Sequence, residues 1–339
     1  MKALVLHGVA DLRLENEWPR PDVPNGWVLV RVEHAGICGS DLPRMMKYGA
    51  HKHPLICGHE LAGHIELSRS TRFAEGDRVA VLPNIPCGTC AMCKKGEEFH
   101  CVDYDFIGSR RDGGFAEYCA VPEDNLLRLP RQVDTETGAL IEPILVALHA
   151  VRASHLKATE RVLVLGGGPI GNLIAQWARI GGTSRIVVAD IKESALVTAE
   201  AVGLKTRTLA GDSAQRVEQY DVVFEAAGAN EALSLALRSV GHKGRIIVIG
   251  RQASGVVVST PVFESFMRKE AAIIGCWGYK ARGEARYLRH VLRRGLIQIK
   301  PLISHRIDIV SSVGFIQSMW DGKLQYSKVL LEFGDDHGC

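Results

Sequence analysis

Residues 161–171 read RVLVLGGGPIG. A short apolar run of strand character meets Gly166, Gly168 and Gly171 in the pattern Gly-x-Gly-x-x-Gly, and the following NLIAQWARIGG has helical character. Such glycines allow a tight turn, close approach of the backbone to a pyrophosphate and close packing of helix on strand. Pro169 and Ile170 fill the variable positions of the same cofactor-binding turn. A second strand, RIVVAD, ends in Asp190, whose carboxylate suits the ribose 2′-hydroxyl of NAD and repels the 2′-phosphate of NADP. The alternative, a plain glycine-rich turn, leaves that second strand and its terminal acid unexplained.

Working outward, YDVVFEAAG (220–228), GRIIVIG (244–250) and AAIIGCW (271–277) read as further strands separated by helical sequence such as NEALSLALRSV. This alternation predicts an α/β domain with a doubly wound parallel sheet over residues 151–299. Residues 1–150 have another texture, with β-rich segments such as GWVLVRVEHAG, GDRVAVLP and GGFAEYCAVP between turns. The tail from 300 to 339 returns to strands (HRIDIV, SKVLLEF) and is expected to close that first domain.

The chain has 339 residues, 46% of them apolar, and a formal charge of +3 with acids and bases interspersed. That charge balance excludes a nucleic-acid-binding arm, and the expected partner is a small molecule. The opening MKALVLHGVADLRLE lacks signal-peptide character, and the longest apolar stretch, Val162 to Ala178, is broken by Gly, Pro, Asn and Gln. A cytoplasmic protein with no membrane partner is expected, so its nine cysteines are expected as thiols or metal ligands.

Four of them form a cluster, Cys87, Cys90, Cys93 and Cys101, spaced Cys-x2-Cys-x2-Cys-x7-Cys. Zinc suits this spacing, and Lys94 and Lys95 offset the charge of four thiolates. An iron–sulfur cluster is the rival, and no second cysteine group or Cys-Pro ending supports it. Four protein ligands close the site, so its role is folding rather than chemistry. An open site is offered elsewhere: Cys38 in HAGICGSD, His59 with Glu60 in PLICGHE, and Glu142 in ALIEPILVALHA. Cys38, His59 and Glu142 supply three ligands and leave a position free. A carboxylate inside an apolar stretch costs on the order of several kcal/mol unless something charged meets it.

In this order, Cys38-Gly-Ser-Asp, Gly58-His59-Glu60, the cysteine lobe, Glu142-Pro143, the glycine turn and Asp190 resemble the zinc-dependent medium-chain dehydrogenases over nearly the whole chain. CGSDLPR, YDFIGSRRDGGFAEY and GKLQYSKVLL resemble the polyol-phosphate dehydrogenases of its sorbitol dehydrogenase branch, whose substrate would be galactitol 1-phosphate. The resemblance implies a GroES-like catalytic domain followed by a Rossmann domain, two zinc ions per subunit and NAD. It also implies a homodimer or homotetramer, with AAIIGCW pairing between subunits. The catalytic zinc would take Cys38, His59 and Glu142, with Glu60 an exchangeable ligand or a supporting partner; the structural zinc would take the four clustered cysteines.

Ser40 would begin a proton relay continued by His51, and Arg110 and Arg111 in FIGSRRDGG would bind the substrate phosphate, with Arg44 and Lys47 adding to the same field. Two departures stand out. The segment IELSRSTRFAEGDRV after His64 is shorter than the family's usual glycine-containing loop, and Cys57 beside Gly58 is either a sensitive thiol or a packed core residue. The rival functions are oxidation of a free polyol such as sorbitol or iditol, oxidation of threonine, a non-catalytic NAD-binding sensor, and a nucleic-acid-binding zinc module.

Overall fold

The computed structural model describes residues 1–209, 218–252 and 255–334; residues 335–339, the end of the expected catalytic-domain tail, lie outside the described residues. The chain divides into two compact units. One comprises Met1–Glu142, Lys280–Gly295 and the chain from Ile303 onward; the other comprises Pro143–Tyr279 and Leu296–Leu302. The division runs through one helix, Ile141–Ala153, eight residues ahead of the position 150 used in the sequence reading.

The first unit is built on a seven-stranded sheet whose spine is the long strand Trp27–Ile37. Val28, Val30 and Val32 alternate into the core, as the period of two requires. On one side this strand pairs along its length with Glu60–Ser68. On the other, its first half pairs with Tyr118–Pro122 and its last residues with Lys328–Glu332. The register sets Gly36 opposite Glu60 and Ile37 opposite Val329. The chain positions of Cys38, Glu60 and Lys328 therefore converge at one end of the sheet, although 268 residues separate the last two. Glycine is required at 36, because a Cβ there would lie 2.2 Å from Oε2 of Glu60.

The second unit carries six parallel strands in the order Lys205–Thr208, Ile186–Asp190, Val162–Leu165, Tyr220–Glu225, Val240–Val248, Ala272–Gly275. The order runs outward in both directions from the pair Val162–Leu165 and Tyr220–Glu225, which makes that pair the topological switch point where such sheets bind ligands. Register aligns Leu165 with Ala189 and Glu225, and Glu225 with Val248, so the C-terminal ends of these strands form one edge. The helix Pro169–Ile180 starts with proline in its first turn, where the missing N–H costs no hydrogen bond. It buries Trp177, whose indole Nε1 donates to the Ile144 carbonyl at 2.9 Å.

Candidate functional site

In the first unit, the ligand atoms of Cys38, His59 and Glu60 lie within 4.8 Å of one another. Cys38 follows the end of Trp27–Ile37, and His59 and Glu60 open the neighbouring strand, so sheet pairing brings sulfur, imidazole and carboxylate together. His59 and Glu60 are buried and Cys38 is half-buried. Asp41, wholly buried, stands behind them with its Oδ1 3.2 Å from His59 Nδ1. The same carboxylate accepts from Arg44 Nη1 at 2.7 Å and from the Cys38 N–H at 3.1 Å. With Nδ1 turned to Asp41, Nε2 is the nitrogen left for a metal, the usual role of a carboxylate behind a ligating histidine.

Burial by itself would raise the Asp41 carboxyl, but the facing His59 ring and then Arg44 hold it below the ordinary carboxylate range. Burial would likewise lower His59, yet Asp41 and Cys38 hold it well above the usual histidine value. Cys38, His59 and Glu60 offer a sulfur, an imidazole and a carboxylate as donors, a set zinc accepts.

Glu60 is held from behind by Lys328, whose Nζ donates to its two carboxylate oxygens at 2.8 and 2.7 Å and to the Ile37 carbonyl at 3.3 Å. Both side chains are buried. Glu142 stands apart from the tight group: Cys38 and His59 are joined there by Glu60, while Glu142 is buried within electrostatic reach of His59, Glu60 and Lys328. Burial, against the pull of His59, pushes its carboxyl up to about 7. Asp41 and Lys328 are not among the residues the sequence singles out, though both lie inside quoted motifs; Asp41 stands one residue past Ser40, and Lys328 opens the strand Lys328–Glu332.

The hydroxyl of Ser40 donates to Cys38 Sγ at 3.3 Å. Burial, then Arg110 and Arg44, lowers the pKa of His51, which favours the neutral ring. The adjacent arginines part company. Arg111 pairs with Asp105 at 2.8 Å and stacks over Trp27, whereas Arg110 stacks over Tyr104 at 4.6 Å and its buried Nε has no hydrogen-bond partner. Arg110 and Arg44 act on His51, and Arg111 is committed elsewhere. Cys57 is wholly buried, and burial pushes its thiol up to about 12, so of its two readings the packed core residue holds.

The second cluster gathers Cys87, Cys90, Cys93 and Cys101 within 4.8 Å. The sulfur separations of 3.9 Å (Cys87–Cys93) and 3.5 Å (Cys90–Cys93) suit a tetrahedral site, in which metal–sulfur bonds of about 2.3 Å give edges of about 3.8 Å. Backbone N–H groups of Thr89 and Cys90 draw the Cys87 thiol down to about 6, while burial and Cys90 push Cys93 up to about 12. Four sulfurs at these separations are a donor set that zinc accepts. A third acidic group, His34, Glu136 and Glu332, is already compensated, because Arg306 donates to both oxygens of Glu136 at 2.5 and 3.1 Å and lies 3.8 Å from Glu332.

In the second unit Gly166 turns the chain at φ +103°, and a Cβ on Gly171 would lie 1.8 Å from the Gly166 carbonyl oxygen, so helix and strand meet only because position 171 is bare. Open space surrounds Gly168 at the start of helix Pro169–Ile180. Asp190 ends its strand with Oδ2 accepting from the Gly167 N–H at 2.7 Å and Oδ1 from the Lys192 N–H at 2.8 Å. A carboxylate has about four acceptor sites, so two remain for ribose hydroxyls. The glycine turn, the open helix start and the fixed acid fit a dinucleotide.

Comparison with known proteins agrees with this geometry. Residues 24–131 match the alcohol dehydrogenase GroES-like domain, and residues 169–294 match the zinc-binding dehydrogenase domain. Galactitol 1-phosphate 5-dehydrogenase of Escherichia coli K12 is 35% identical over 82% of this chain and 85% of its own. Sorbitol dehydrogenase of Bacillus subtilis is 34% identical over 74% and 75%. The crystal structure of galactitol-1-phosphate dehydrogenase from Escherichia coli superposes with a TM-score of 0.89 at 32% identity, covering 98% of this chain and 100% of that one. The chain belongs to the zinc-binding alcohol dehydrogenases, a medium-chain family of GroES-like and Rossmann domains, and has polyol dehydrogenases among its relatives.

Proposed function

We propose that the protein catalyses the NAD-linked oxidation of a secondary alcohol on a polyol phosphate, converting galactitol 1-phosphate to a keto-sugar phosphate. The observation that carries this reading is Arg110, whose buried Nε lacks a partner while its charge, with that of Arg44, acts on His51 in the lobe that holds the metal donors. An unsatisfied guanidinium edge is suited to a phosphate oxygen. Arg111, paired with Asp105, is left out of the phosphate subsite.

Cys38, His59 and Glu60 would hold the catalytic zinc, with Glu142 the buried carboxylate available to exchange into the same shell. Cys87, Cys90, Cys93 and Cys101 would hold the structural one. Zinc supplies Lewis acidity that lowers the pKa of a substrate hydroxyl toward neutrality. Asp41 fixes the His59 ring, and Lys328 fixes the Glu60 carboxylate. The hydroxyl proton leaves through Ser40, beside the Cys38 sulfur, and the neutral His51 ring receives it. Gly166, Gly168, Gly171 and Asp190 would hold NAD, which would supply the hydride acceptor; the alcohol would lose one hydride, carrying both electrons, and one proton, leaving a ketone. Asp190 favours NAD over NADP, since a 2′-phosphate would meet its charge.

A free polyol such as sorbitol or iditol is the second reading, favoured by the pairing of Arg44 with Asp41, which neutralises one of the nearby cations. The protein is read as a cytoplasmic homodimer or homotetramer; no helix among the described residues is long and apolar enough to cross a membrane. The test follows NADH absorbance with galactitol 1-phosphate, galactitol, sorbitol and threonine. A preference of about a hundredfold or more in kcat/KM for the phosphorylated alditol is expected. Equal efficiency with galactitol overturns the phosphate reading, and no NADH in any reaction returns the protein to the sensor class.

A further inference from the structure

Glu225 ends the strand Tyr220–Glu225 at the switch point of the parallel sheet, and its side chain is wholly buried. Its Oε1 accepts from the Ala227 N–H at 3.0 Å and from the Gly228 N–H at 2.8 Å. Its main-chain carbonyl accepts from the N–H groups of Ile249 and Gly250, at 2.9 and 3.0 Å, and Gln252 Nε2 lies 3.4 Å from its Oε2. One residue thus ties together the loops that follow two adjacent strands. The packing leaves no slack: a Cβ on Gly250 would lie 2.7 Å from Oε2 of Glu225 and 2.3 Å from the Gly228 nitrogen. The first of these loops also abuts the glycine turn. The Ala226 N–H donates to the Leu165 carbonyl at 2.8 Å, and a Cβ on Gly166 would lie 2.9 Å from the Ala227 nitrogen.

A buried carboxylate is a costly way to staple a loop, since a neutral hydroxyl or amide accepts the same N–H groups with less desolvation. Burial raises the Glu225 carboxyl, against the pull of the Gly228, Ala227 and Ala229 N–H groups. A group kept in that state at the edge where a doubly wound sheet binds its ligand points to a role in binding.

We propose that Glu225 is a positioning residue for the nicotinamide half of the dinucleotide, acting through the loop 226–228 that it fixes beside the glycine turn. This rests on the reading of the second unit as an NAD-binding one. The adenosine half is served by other groups, the Gly167–Asp190 pair on the opposite side of the switch point. Loosening the loop 226–228 therefore weakens NADH and leaves an adenosine ligand alone.

The test uses the whole zinc-loaded protein and its variants Glu225→Ala and Glu225→Gln. NADH binding is read by nucleotide fluorescence, 5′-AMP binding by calorimetry, and folding by thermal melting. The expected result for Glu225→Ala is a rise of at least tenfold in the NADH dissociation constant with the 5′-AMP constant within twofold of wild type, and a KM for NAD that rises while the KM for the alcohol holds. Glu225→Gln, whose amide oxygen still accepts the two N–H groups, should recover NADH affinity to within about threefold. Amide hydrogen exchange at 226–228 should quicken in Glu225→Ala alone. Unchanged NADH affinity in Glu225→Ala overturns the proposal, as does a parallel loss of NADH and 5′-AMP, which marks a merely structural staple. If Glu225→Ala does not fold, Glu225→Asp decides, since its shorter side chain draws the carboxylate back from the Ala227 and Gly228 N–H groups: tenfold weaker NADH with intact 5′-AMP supports the role, and unchanged NADH affinity or loss of both ligands overturns it. A wild-type protein that binds 5′-AMP but not NADH refutes the functional reading itself, and the proposal with it.

Discussion

Replacing Lys328 by methionine removes the cation from a pair in which Lys328 is 4% exposed and Glu60 1%. Methionine fills nearly the same volume, so packing is largely kept and the effect is electrostatic. The Glu60 carboxylate loses two short charge-assisted hydrogen bonds and stays buried beside the Cys38 sulfur. Removing one partner of a buried pair costs about 3–5 kcal/mol, several times the roughly 0–1 kcal/mol of an exposed pair. The assay is urea unfolding of chelator-treated protein, followed by tryptophan fluorescence, for wild type, Lys328→Met, Glu60→Gln and the double variant. Lys328→Met is expected to lose about 3–5 kcal/mol, and the double variant should regain more than half of that, because no stranded charge remains. Zinc should also recover much of the loss in Lys328→Met, since a bound cation replaces the missing ammonium and stabilises only the folded state. A metal-free Lys328→Met protein as stable as wild type would refute the reasoning.

Cys93→Ser should lower the zinc content measured by elemental analysis by about one ion per chain and destabilise the cysteine lobe, while metal bound at the proposed Cys38 site is retained. Arg110→Ala should cut kcat/KM for galactitol 1-phosphate about a hundredfold and leave galactitol within a few-fold, whereas Arg111→Ala, which removes the Asp105 pairing and the stacking on Trp27, should leave the ratio of the two substrates unchanged. Arg245 donates to both oxygens of Glu160 at 2.9 and 2.8 Å, and that hydrogen bonding, against burial, lowers the Glu160 pKa. The folded state therefore binds fewer protons than the unfolded one in this window, so the contribution is full above the ordinary glutamate value and is lost as pH falls through the lower folded value. Thermal melts from pH 6 to 3 should show Glu160→Gln less stable than wild type at the top of that range, with the gap closing at the bottom.

What the sequence revealed and what it concealed divide along one line, the distance over which the deciding contacts form. The cysteine lobe and the glycine turn were legible because their groups lie within fifteen residues of chain, and local spacing alone brings them together. Asp190 was legible because strand, helix and strand have a nearly fixed length. The acid beside Cys38 and His59 was harder. The cost of burying a charge drew attention to Glu142 in its apolar helix, whereas the strand pairing that sets Glu60 against Gly36 brings Glu60 into the tight group. Lys328 depends on the pairing of two strands nearly 300 residues apart, which no local pattern encodes. Arg110 and Arg111 look equivalent in sequence, but Asp105 and Trp27 take one while Tyr104 stacks under the other.

The strand Lys328–Glu332 lies between Trp27–Ile37 and Ile303–Asp308 in the first unit's sheet. A nascent chain emerging from the ribosome has made every proposed metal donor by residue 142, yet the ammonium that pairs with Glu60 is not made until residue 328. The second unit's strands run consecutively and end at Gly275, and its last segment, Leu296–Leu302, also precedes Lys328. Folding during translation should therefore finish out of order, with the parallel sheet settled first and the first unit's metal donors kept waiting, their thiols exposed to stray metal and oxidant, until the strand Lys328–Glu332 slots in beside Trp27–Ile37.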